Sequence, residues 1–160
     1  MKEAEYAYRL MSADEVVDVC RFVNSVFDCS VAPLYTEKGR RNFKEYADPG
    51  PMVSRVRSNH FVLVAVEEGR NAEMTGVIEV RDHCHVSLFF VDPDRQGKGL
   101  GGELLQRSLE ICRSVKPDLN ELTVNSSPNA VEIYERMGFE IFRKEQNING
   151  VRSTPMRLRL

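Results

Sequence analysis

A run of glycines and polar residues in the middle of the chain has the composition of an anion-binding loop. The run consists of Gln96, Gly97, Lys98, Gly99, Leu100, Gly101 and Gly102. A glycine backbone can approach a ligand closely because glycine has no Cβ. A helical pattern opens at Gly99, and the first N–H groups of a helix lack internal acceptors and favour an anion. With the positive charge of Lys98, the loop predicts a bound phosphate or pyrophosphate.

Two well-known phosphate-binding motifs fit this loop poorly. The P-loop pattern of Gly, four residues and Gly-Lys-Ser/Thr does not occur in the chain. The dinucleotide pattern G-x-G-x-x-G does occur between Gly97 and Gly102, but its acidic partner should end the following strand about 20 residues later. Glu121 begins that strand and Asn125 ends it. A dinucleotide-binding oxidoreductase is therefore the weaker interpretation.

The apolar patterns around the loop predict the elements that hold it. Strand patterns occur at residues 6–11, 61–66, 74–80, 85–91, 121–125, 139–146 and 151–160. Helical patterns occur at residues 13–27, 36–46, 99–116 and 129–137. The short connections before the loop suit an antiparallel meander, and the helix after it forms a crossover to a parallel strand.

Local signals fix several boundaries of these elements. Ser12 and Glu15 have the spacing of a capping box, and Asn149-Gly150 predicts a hairpin turn. The Pro/Gly cluster at residues 48–51 is expected to end the second helix. The sequence thus predicts a single α/β domain of the α+β type over residues 1–160. Its mixed, mostly antiparallel sheet has six to seven strands, with helices on both faces.

A third phosphate-binding pattern, Q/R-x-x-G-x-G/A, is matched by Gln96, Gly99 and Gly101. With this pattern the chain resembles the GNAT superfamily of acetyl-CoA-dependent N-acetyltransferases. The strand, the Asp92-Pro93 pair, the loop and the amphipathic helix follow one another as in the family's motif A. Residues 126–139 are similar to its motif B, and the specific resemblance covers residues 78–142.

The resemblance implies how acetyl-CoA, the cosubstrate, would bind. The backbone of Phe89, Phe90 and Val91 would pair with the pantetheine arm. The amides of the glycine run would hold the pyrophosphate. Many family members have an Asn three residues before the motif B alanine, where this chain has Ser127. Asn125 and Asn129 are the nearby candidates for that contact.

The resemblance also implies an activity, the transfer of an acetyl group to a primary amine by direct attack in a ternary complex. Tyr134 occupies the position of the family's general acid for the departing thiolate. Glu79 is the candidate base because it lies on the strand beside the proposed CoA strand, although alternation on a half-exposed strand also explains a Glu there. A non-catalytic CoA-binding or regulatory module is the alternative.

The acceptor is expected to be a small-molecule or peptide amine bound near residues 29–59. This segment contains three aromatic and three acidic residues, namely Tyr35, Phe43, Tyr46, Glu37, Glu45 and Asp48. The acidic groups favour a cationic amine, while a solvated helix face explains them equally well. Dimerisation through the sheet edge or the last strands is a further expectation from the family resemblance.

Composition excludes several other classes of function. The net charge of −2 gives no basic surface for nucleic acid, and no apolar stretch approaches the roughly 20 residues of a membrane span. The four cysteines contain no C-x-x-C pair and the first residues resemble no secretory leader, so we expect a cytoplasmic protein. His83 and His85 leave only His60 as a third histidine, so a polar turn is expected there and no metal.

Overall fold

Runs of apolar and β-branched residues form eight strands in this computed structural model, which describes residues 3–69 and 71–160. The strands are β1 (Tyr6–Leu10), β2 (His60–Glu67), β3 (Met74–Arg81), β4 (His85–Val91), β5 (Glu121–Ser126), β6 (Glu140–Ile141), β7 (Gln146–Ile148) and β8 (Val151–Arg159). Their order across the sheet is β1-β2-β3-β4-β5-β8-β6, and β7 pairs with β8. Among these described strands, β4 and β5 form the one parallel pair.

Helices cover both faces of this sheet. Five α-helices lie within the described residues: α1 (Val16–Ser30), α2 (Glu37–Tyr46), α3 (Pro49–Val56), α4 (Leu100–Val115) and α5 (Val131–Arg136). Helices α4 and α5 share one apolar core with β2, β3, β4 and β5, while α1 and α3 pack in a second core against the opposite face. The predicted fold class is confirmed. In the described part of the chain none of the helices is long and apolar enough to cross a bilayer.

The two long helices bury the faces that their sequence patterns predict. In α4 the buried apolar residues are Leu100, Leu104, Leu105, Leu109 and Cys112, and in α1 they include Val16, Val19, Cys20, Val23 and Phe27. Each fully buried Leu, Val or Phe contributes about 1.5–3 kcal/mol relative to an exposed one. The first turn of α4 is therefore fixed firmly against the sheet, and its free N–H groups have a defined position.

The Pro/Gly cluster at residues 48–51 begins a helix, so the prediction that it only ends one is wrong in part. Helix α2 does end at Tyr46, but Pro49 then occupies the first position of α3. Proline suits that position because the first helical N–H needs no partner within the helix. Met52 anchors α3, since its side chain is completely buried in the second core.

The single strand predicted for residues 139–146 is two short strands, β6 and β7, which raises the number of strands to eight. Both pair with β8, on either side of Pro155. The Phe142 N–H donates to the Pro155 carbonyl, but proline has no N–H with which to return the bond. The ladder is interrupted there. Asn149 and Gly150 have positive φ angles, as the predicted hairpin turn requires.

Strands β4 and β5 pair over a short distance and then separate. Their parallel register contains His85 with Thr123 and Val86 with Val124, after which no further pairs follow in the described residues. The next residue of β4, Ser87, is a β-bulge, because β3 pairs Glu79 with Leu88 and then Val80 with Val86. The rest of β4 consequently lacks a neighbour on the β5 side, and a cleft opens between the two strands.

His85 at the start of this cleft makes stability depend on pH. Its Nδ1 lies 2.7 Å from Thr123 Oγ1, and burial lowers the pKa of the imidazole to about 4. The unfolded chain, with an ordinary pKa of about 6.5, therefore binds protons between pH 6.5 and 4 that the folded chain does not. We expect the free energy of unfolding to fall by about 1–2 kcal/mol between pH 7 and pH 5.

Urea denaturation of wild type, His85→Gln and His83→Asn at both pH values measures this effect. His85→Gln should reduce the pH dependence, whereas the neighbouring variant His83→Asn should retain it. Burial also lowers the pKa of His60, so a residual dependence of the same sign is expected. Equal dependence in wild type and His85→Gln would contradict the assignment.

Candidate active site

The separation of β4 from β5 leaves part of the β4 backbone without a partner. The Asp92 N–H donates to the Thr75 carbonyl of β3 at 2.8 Å, so alternation turns the backbone groups of Phe90 toward β3 as well. The backbone groups of Phe89 and Val91 then face the cleft, where the Val91 carbonyl accepts a bond from Gln96 Nε2 at 3.4 Å. Of the three residues predicted to pair with an extended ligand, the geometry thus favours Phe89 and Val91, and Phe90 contributes its side chain on the opposite face of the sheet.

The glycine run forms a left-handed turn that leads into α4. Gly97 and Gly99 both have φ angles of +82°, a region that residues with a Cβ enter at a cost of about 1–2 kcal/mol. A Cβ at Gly97, Gly99 or Gly102 would meet no atom within 4 Å. The space beside these three glycines is open, as the binding of a ligand to the backbone requires.

The first three N–H groups of α4 are available to an anion. The helix begins at Leu100 after Gly99, and the first bond of its ladder here runs from the Glu103 N–H to the Gly99 carbonyl at 3.0 Å. The amides of Leu100, Gly101 and Gly102 precede that bond and have no acceptor within the helix. The Leu100 side chain is buried in the core, so this residue offers only its backbone.

Arg95 connects the start of the glycine loop to the β2–β3 turn through ion pairs. Its Nε donates to Glu67 at 2.7 Å, its Nη1 to Asp92 at 2.7 Å and its Nη2 to Glu73 at 2.8 Å. Three carboxylates thus neutralise this guanidinium, which acts as a clamp and not as a free cation. Lys98 is exposed and does not line the cavities described below. Within the loop itself the attraction for an anion therefore comes from backbone N–H groups and the helix dipole.

Two cavities meet at Tyr134. The smaller, of about 460 Å³, is lined by residues of the glycine run and by Phe89, Val91, Arg136 and Met137. The larger, of about 720 Å³, follows the cleft between β4 and β5 and continues to α1 and α2 on the other face of the sheet. Gln96 and Ile133 also line both cavities. A long ligand can therefore extend from the start of α4 through the cleft toward the opposite face.

Tyr134 lies on α5 with its ring fixed between two phenylalanines. The ring centroids are 6.1 Å from Phe89 and 5.3 Å from Phe139, both in edge-on geometry. Burial raises the pKa of the Tyr134 hydroxyl above its ordinary value. The hydroxyl consequently stays protonated throughout the physiological pH range, as a proton donor must. Tyr134 lines both cavities, and its role as general acid stays a prediction.

Asn125, Ser127 and Asn129 all line the larger cavity, so the structure brings the three alternatives for a ligand contact together. The Ser127 hydroxyl donates to Asn129 Oδ1 at 2.7 Å. This bond occupies the amide oxygen of Asn129 and leaves its NH₂ group free for a ligand. Asn125 is exposed at the end of β5. All three residues remain predicted contacts.

Glu79, the predicted base, is placed where a base would not reach an acceptor. Its side chain is completely buried on the α3 side of β3 and does not line either cavity. Arg55 Nε and Nη2 donate to its two carboxylate oxygens at 2.9 and 3.2 Å. His60 Nδ1 lies 3.2 Å from the same carboxylate but outside hydrogen-bond geometry. The placement does not support a base role and indicates a structural one.

Substitution of Glu79 should therefore affect stability more than turnover. Glu79→Gln leaves Arg55, whose side chain is only 14% exposed, without its counter-charge, and breaking a buried pair costs about 3–5 kcal/mol. We expect a clear fall in the urea midpoint, with kcat per folded molecule changed by less than about threefold. The double variant Arg55→Met/Glu79→Leu should recover most of the stability. Loss of kcat without loss of stability would restore Glu79 as the base.

The far end of the larger cavity is aromatic and amide-rich. Phe27, Tyr35, Phe43 and Phe90 line it together with Asn42 and Asn149. Of the segment 29–59, which is predicted to border the acceptor, Tyr35 and Phe43 line this cavity. The three acidic residues of that segment, Glu37, Glu45 and Asp48, line a separate surface depression instead. They do not support recruitment of a cationic amine.

Sequence reasoning missed several of these features. The Ser87 bulge has no sequence signal, because serine is ordinary at a half-buried strand position. The pairing of Asn42 with the Asn149 carbonyl, at 3.2 Å, joins residues 107 positions apart and follows from the fold alone. Phe27 lies on the buried face of α1, and its stacking on Phe43 explains why it also lines the cavity.

His83 lies in the turn before β4 and His85 at the start of that strand. Across residues 3–69 and 71–160, no group of three or more His, Cys, Asp or Glu side chains is arranged to hold a metal ion. The site described above offers anion binding by amides, a strand edge without a neighbouring strand, and a protonated phenol.

Comparison with known proteins identifies the family to which the chain is similar. Residues 31–160 match the family model described as an acetyltransferase (GNAT) domain. An uncharacterized N-acetyltransferase of Methanocaldococcus jannaschii is 36% identical over 64 residues. That alignment covers 39% of this chain and 28% of the relative, so the chain spans under a third of the relative's length.

Two solved structures share the fold over nearly the whole chain. A GCN5-related N-acetyltransferase from Rhodopseudomonas palustris superposes with a TM-score of 0.80 at 20% identity, covering 100% of this chain and 99% of the other. The PaiA N-acetyltransferase of Thermoplasma acidophilum, solved in complex with coenzyme A, gives 0.76 at 17% identity, covering 98% and 99%. At these identities the likeness establishes the fold alone.

Proposed function

This chain belongs to the GNAT family of acetyltransferases, and we propose that it transfers the acetyl group of acetyl-CoA to a primary amine. The observation that carries the proposal is the meeting of the two cavities at Tyr134. One cavity leads from the glycine loop, and the other crosses the sheet through the gap between β4 and β5. A donor bound along the first can thus present its thioester to an acceptor in the second.

The donor is held by backbone groups along its length. The pyrophosphate binds the free amides of Leu100, Gly101 and Gly102, where the helix dipole favours negative charge. The pantetheine arm pairs with the cleft-facing backbone of Phe89 and Val91, as an added strand does. The Val91 carbonyl accepts a 3.4 Å bond from Gln96 Nε2, which the arm would replace. Open space beside Gly97 and Gly99 accommodates the phosphates. The residues present therefore fit acetyl-CoA.

The transfer itself requires one bond to form and one to break. The lone pair of the neutral amine attacks the thioester carbonyl carbon, and the C–S bond then breaks. The departing thiolate takes a proton from the Tyr134 hydroxyl, which recovers it from the acceptor nitrogen through water. Backbone N–H groups beside the Ser87 bulge stabilise the negative charge that develops on the carbonyl oxygen.

The ammonium form of the acceptor must first lose a proton. The cavity lining within the described residues contains no Asp, Glu or His side chain. We therefore propose that this proton passes to water in the cleft and that no side chain acts as a fixed base. The turnover rate should then follow the pKa of the amine itself.

Two measurements test the proposal against its alternatives. A thermal shift on addition of acetyl-CoA, but not of NADH, is expected because the ligand binds the folded chain. Release of free CoA thiol in the presence of an amine panel is expected as well. Binding of acetyl-CoA without thiol release would favour a non-catalytic CoA-binding module, and binding of NADH alone would favour an oxidoreductase.

A further inference from the structure

We propose that the acceptor is a small primary amine with an aromatic or apolar body, and not a polyamine or a peptide. The inference rests on the proposed function, since it concerns the acceptor half of the same cavity. Three features of that half carry it: its aromatic wall, the absence of acidic side chains among the described residues that line it, and the contact that closes one side of it.

The aromatic wall is a packed cluster of four rings. Phe27 and Phe43 stack with their centroids 3.8 Å apart and their planes 9° from parallel. Phe90 meets Phe43 edge-on at 5.8 Å, and Tyr35 is tilted against Phe27 at 5.6 Å. All four border the cavity; Phe27 is fully buried, and Tyr35, Phe43 and Phe90 are partly exposed to it. Such a wall stabilises a bound ring or aliphatic group, because the apolar surfaces of the wall and of the ligand are both removed from water.

The lining lacks a group that would hold a second positive charge. Among the lining residues in the described part of the chain none is Asp or Glu, and the polar ones are neutral amides and hydroxyls. The carboxylate of Asp28 is paired with Lys44 at 2.7 Å outside the cavity. A polyamine would bring a remote ammonium into this lining without a counter-charge, which is unfavourable in a partly dry site.

A backbone contact closes one side of the acceptor half. Gly39 of α2 lies so close to Gly150 of the β7–β8 hairpin that a Cβ at either glycine would collide with the other segment. Asn42 Nδ2 also donates to the Asn149 carbonyl at 3.2 Å. Both segments border the cavity, so they form a roof where an extended peptide would need an open groove. A compact amine body fits below this roof.

Equilibrium binding and turnover with three acceptors test the inference. The acceptors are 2-phenylethylamine, spermidine and an unstructured lysine-containing peptide. Calorimetry on the CoA-saturated protein measures affinity, and thiol release from acetyl-CoA measures kcat/KM. We expect 2-phenylethylamine to exceed the other two by about 10–100-fold, the range that full burial of one ring supports.

A charge introduced into the wall should change this preference. Ser30 lines the cavity at the end of α1, whereas Ser25 on the same helix is exposed and outside it. Ser30→Asp should raise the kcat/KM ratio of spermidine to 2-phenylethylamine at least about tenfold, and Ser25→Asp should leave the ratio unchanged. Circular dichroism of both variants controls for folding.

The outcomes of these experiments test the acceptor class separately from the acetyltransferase function. Spermidine or the peptide binding as tightly as 2-phenylethylamine would overturn the acceptor class while leaving an acetyltransferase intact. An unchanged ratio in Ser30→Asp would overturn the placement of the acceptor against this wall. Failure to bind acetyl-CoA would overturn the proposed function, and calorimetry of the three amines on the ligand-free protein would then decide the acceptor class.

Discussion

Gly99→Glu is expected to raise the dissociation constant of acetyl-CoA at least about 100-fold. Gly99 precedes α4, and a side chain at this position points into space that is open in the structure. A carboxylate placed there lies beside the proposed pyrophosphate. Two like charges about 4 Å apart repel by about 4 kcal/mol near a protein surface, which is enough to remove most of the binding.

The charge-reversed variant Gly99→Lys separates this repulsion from backbone strain. Both side chains force a residue with a Cβ into a φ angle of +82°, at a cost of about 1–2 kcal/mol. Both melting temperatures should therefore fall, that of Gly99→Lys somewhat further because the dipole of α4 disfavours a cation at its N-terminus. Calorimetric titration with acetyl-CoA should show a loss of less than about tenfold for Gly99→Lys. Equal loss of affinity in the two variants would show that the loop conformation, and not an anion beside Gly99, determines binding.

The donor half of the site could be predicted because its determinants are local in sequence. The glycine loop is one short, continuous segment that contains Gln96, Gly99 and Gly101. The buried face of α4 follows from the helical spacing of its apolar residues. Tyr134 needed the second motif as well, yet that motif is also a short, continuous segment. A local pattern is sufficient wherever one loop and the helix it starts provide most of the contacts.

The acceptor half could not be predicted because its determinants are distant in sequence. The roof depends on Gly39 meeting Gly150, and the wall depends on Phe43 stacking on Phe27. The misplaced base has the same origin. Whether Glu79 faces solvent or a buried Arg55 depends on α3. The sequence did not predict this helix, because it begins within a Pro/Gly cluster that is typical of a loop. Alternation predicts which face a side chain occupies, but not what covers that face.

Tyr134→Phe is expected to lower kcat about 100-fold while the affinity for acetyl-CoA changes by less than about threefold. The phenyl ring retains both edge-on contacts, with Phe89 and with Phe139, so the cavities keep their shape. What is lost is the proton for the departing thiolate. Thiol-release kinetics give kcat, and calorimetry gives the affinity.

The pH profile makes this test specific to a proton donor. Because burial raises the pKa of Tyr134, its hydroxyl remains protonated even near pH 10, the ordinary value for tyrosine. For wild type kcat/KM should rise with pH as the amine loses its proton, with no fall up to pH 10. A falling limb that disappears in Tyr134→Phe would mean that the pKa of Tyr134 is not raised in the complex.

Tyr8→Phe provides the matched control for loss of a phenolic hydroxyl. Tyr8 packs against the same apolar core from β1, and Arg107 lies over its ring at 4.9 Å, but it does not line either cavity. Its substitution should leave kcat unchanged. If Tyr134→Phe retains full kcat, or if Tyr8→Phe loses as much, then the thiolate is protonated by water and Tyr134 only shapes the cleft. A 100-fold difference between two equally conservative substitutions would instead assign the proton to one hydroxyl, because the two variants differ in position and not in chemistry.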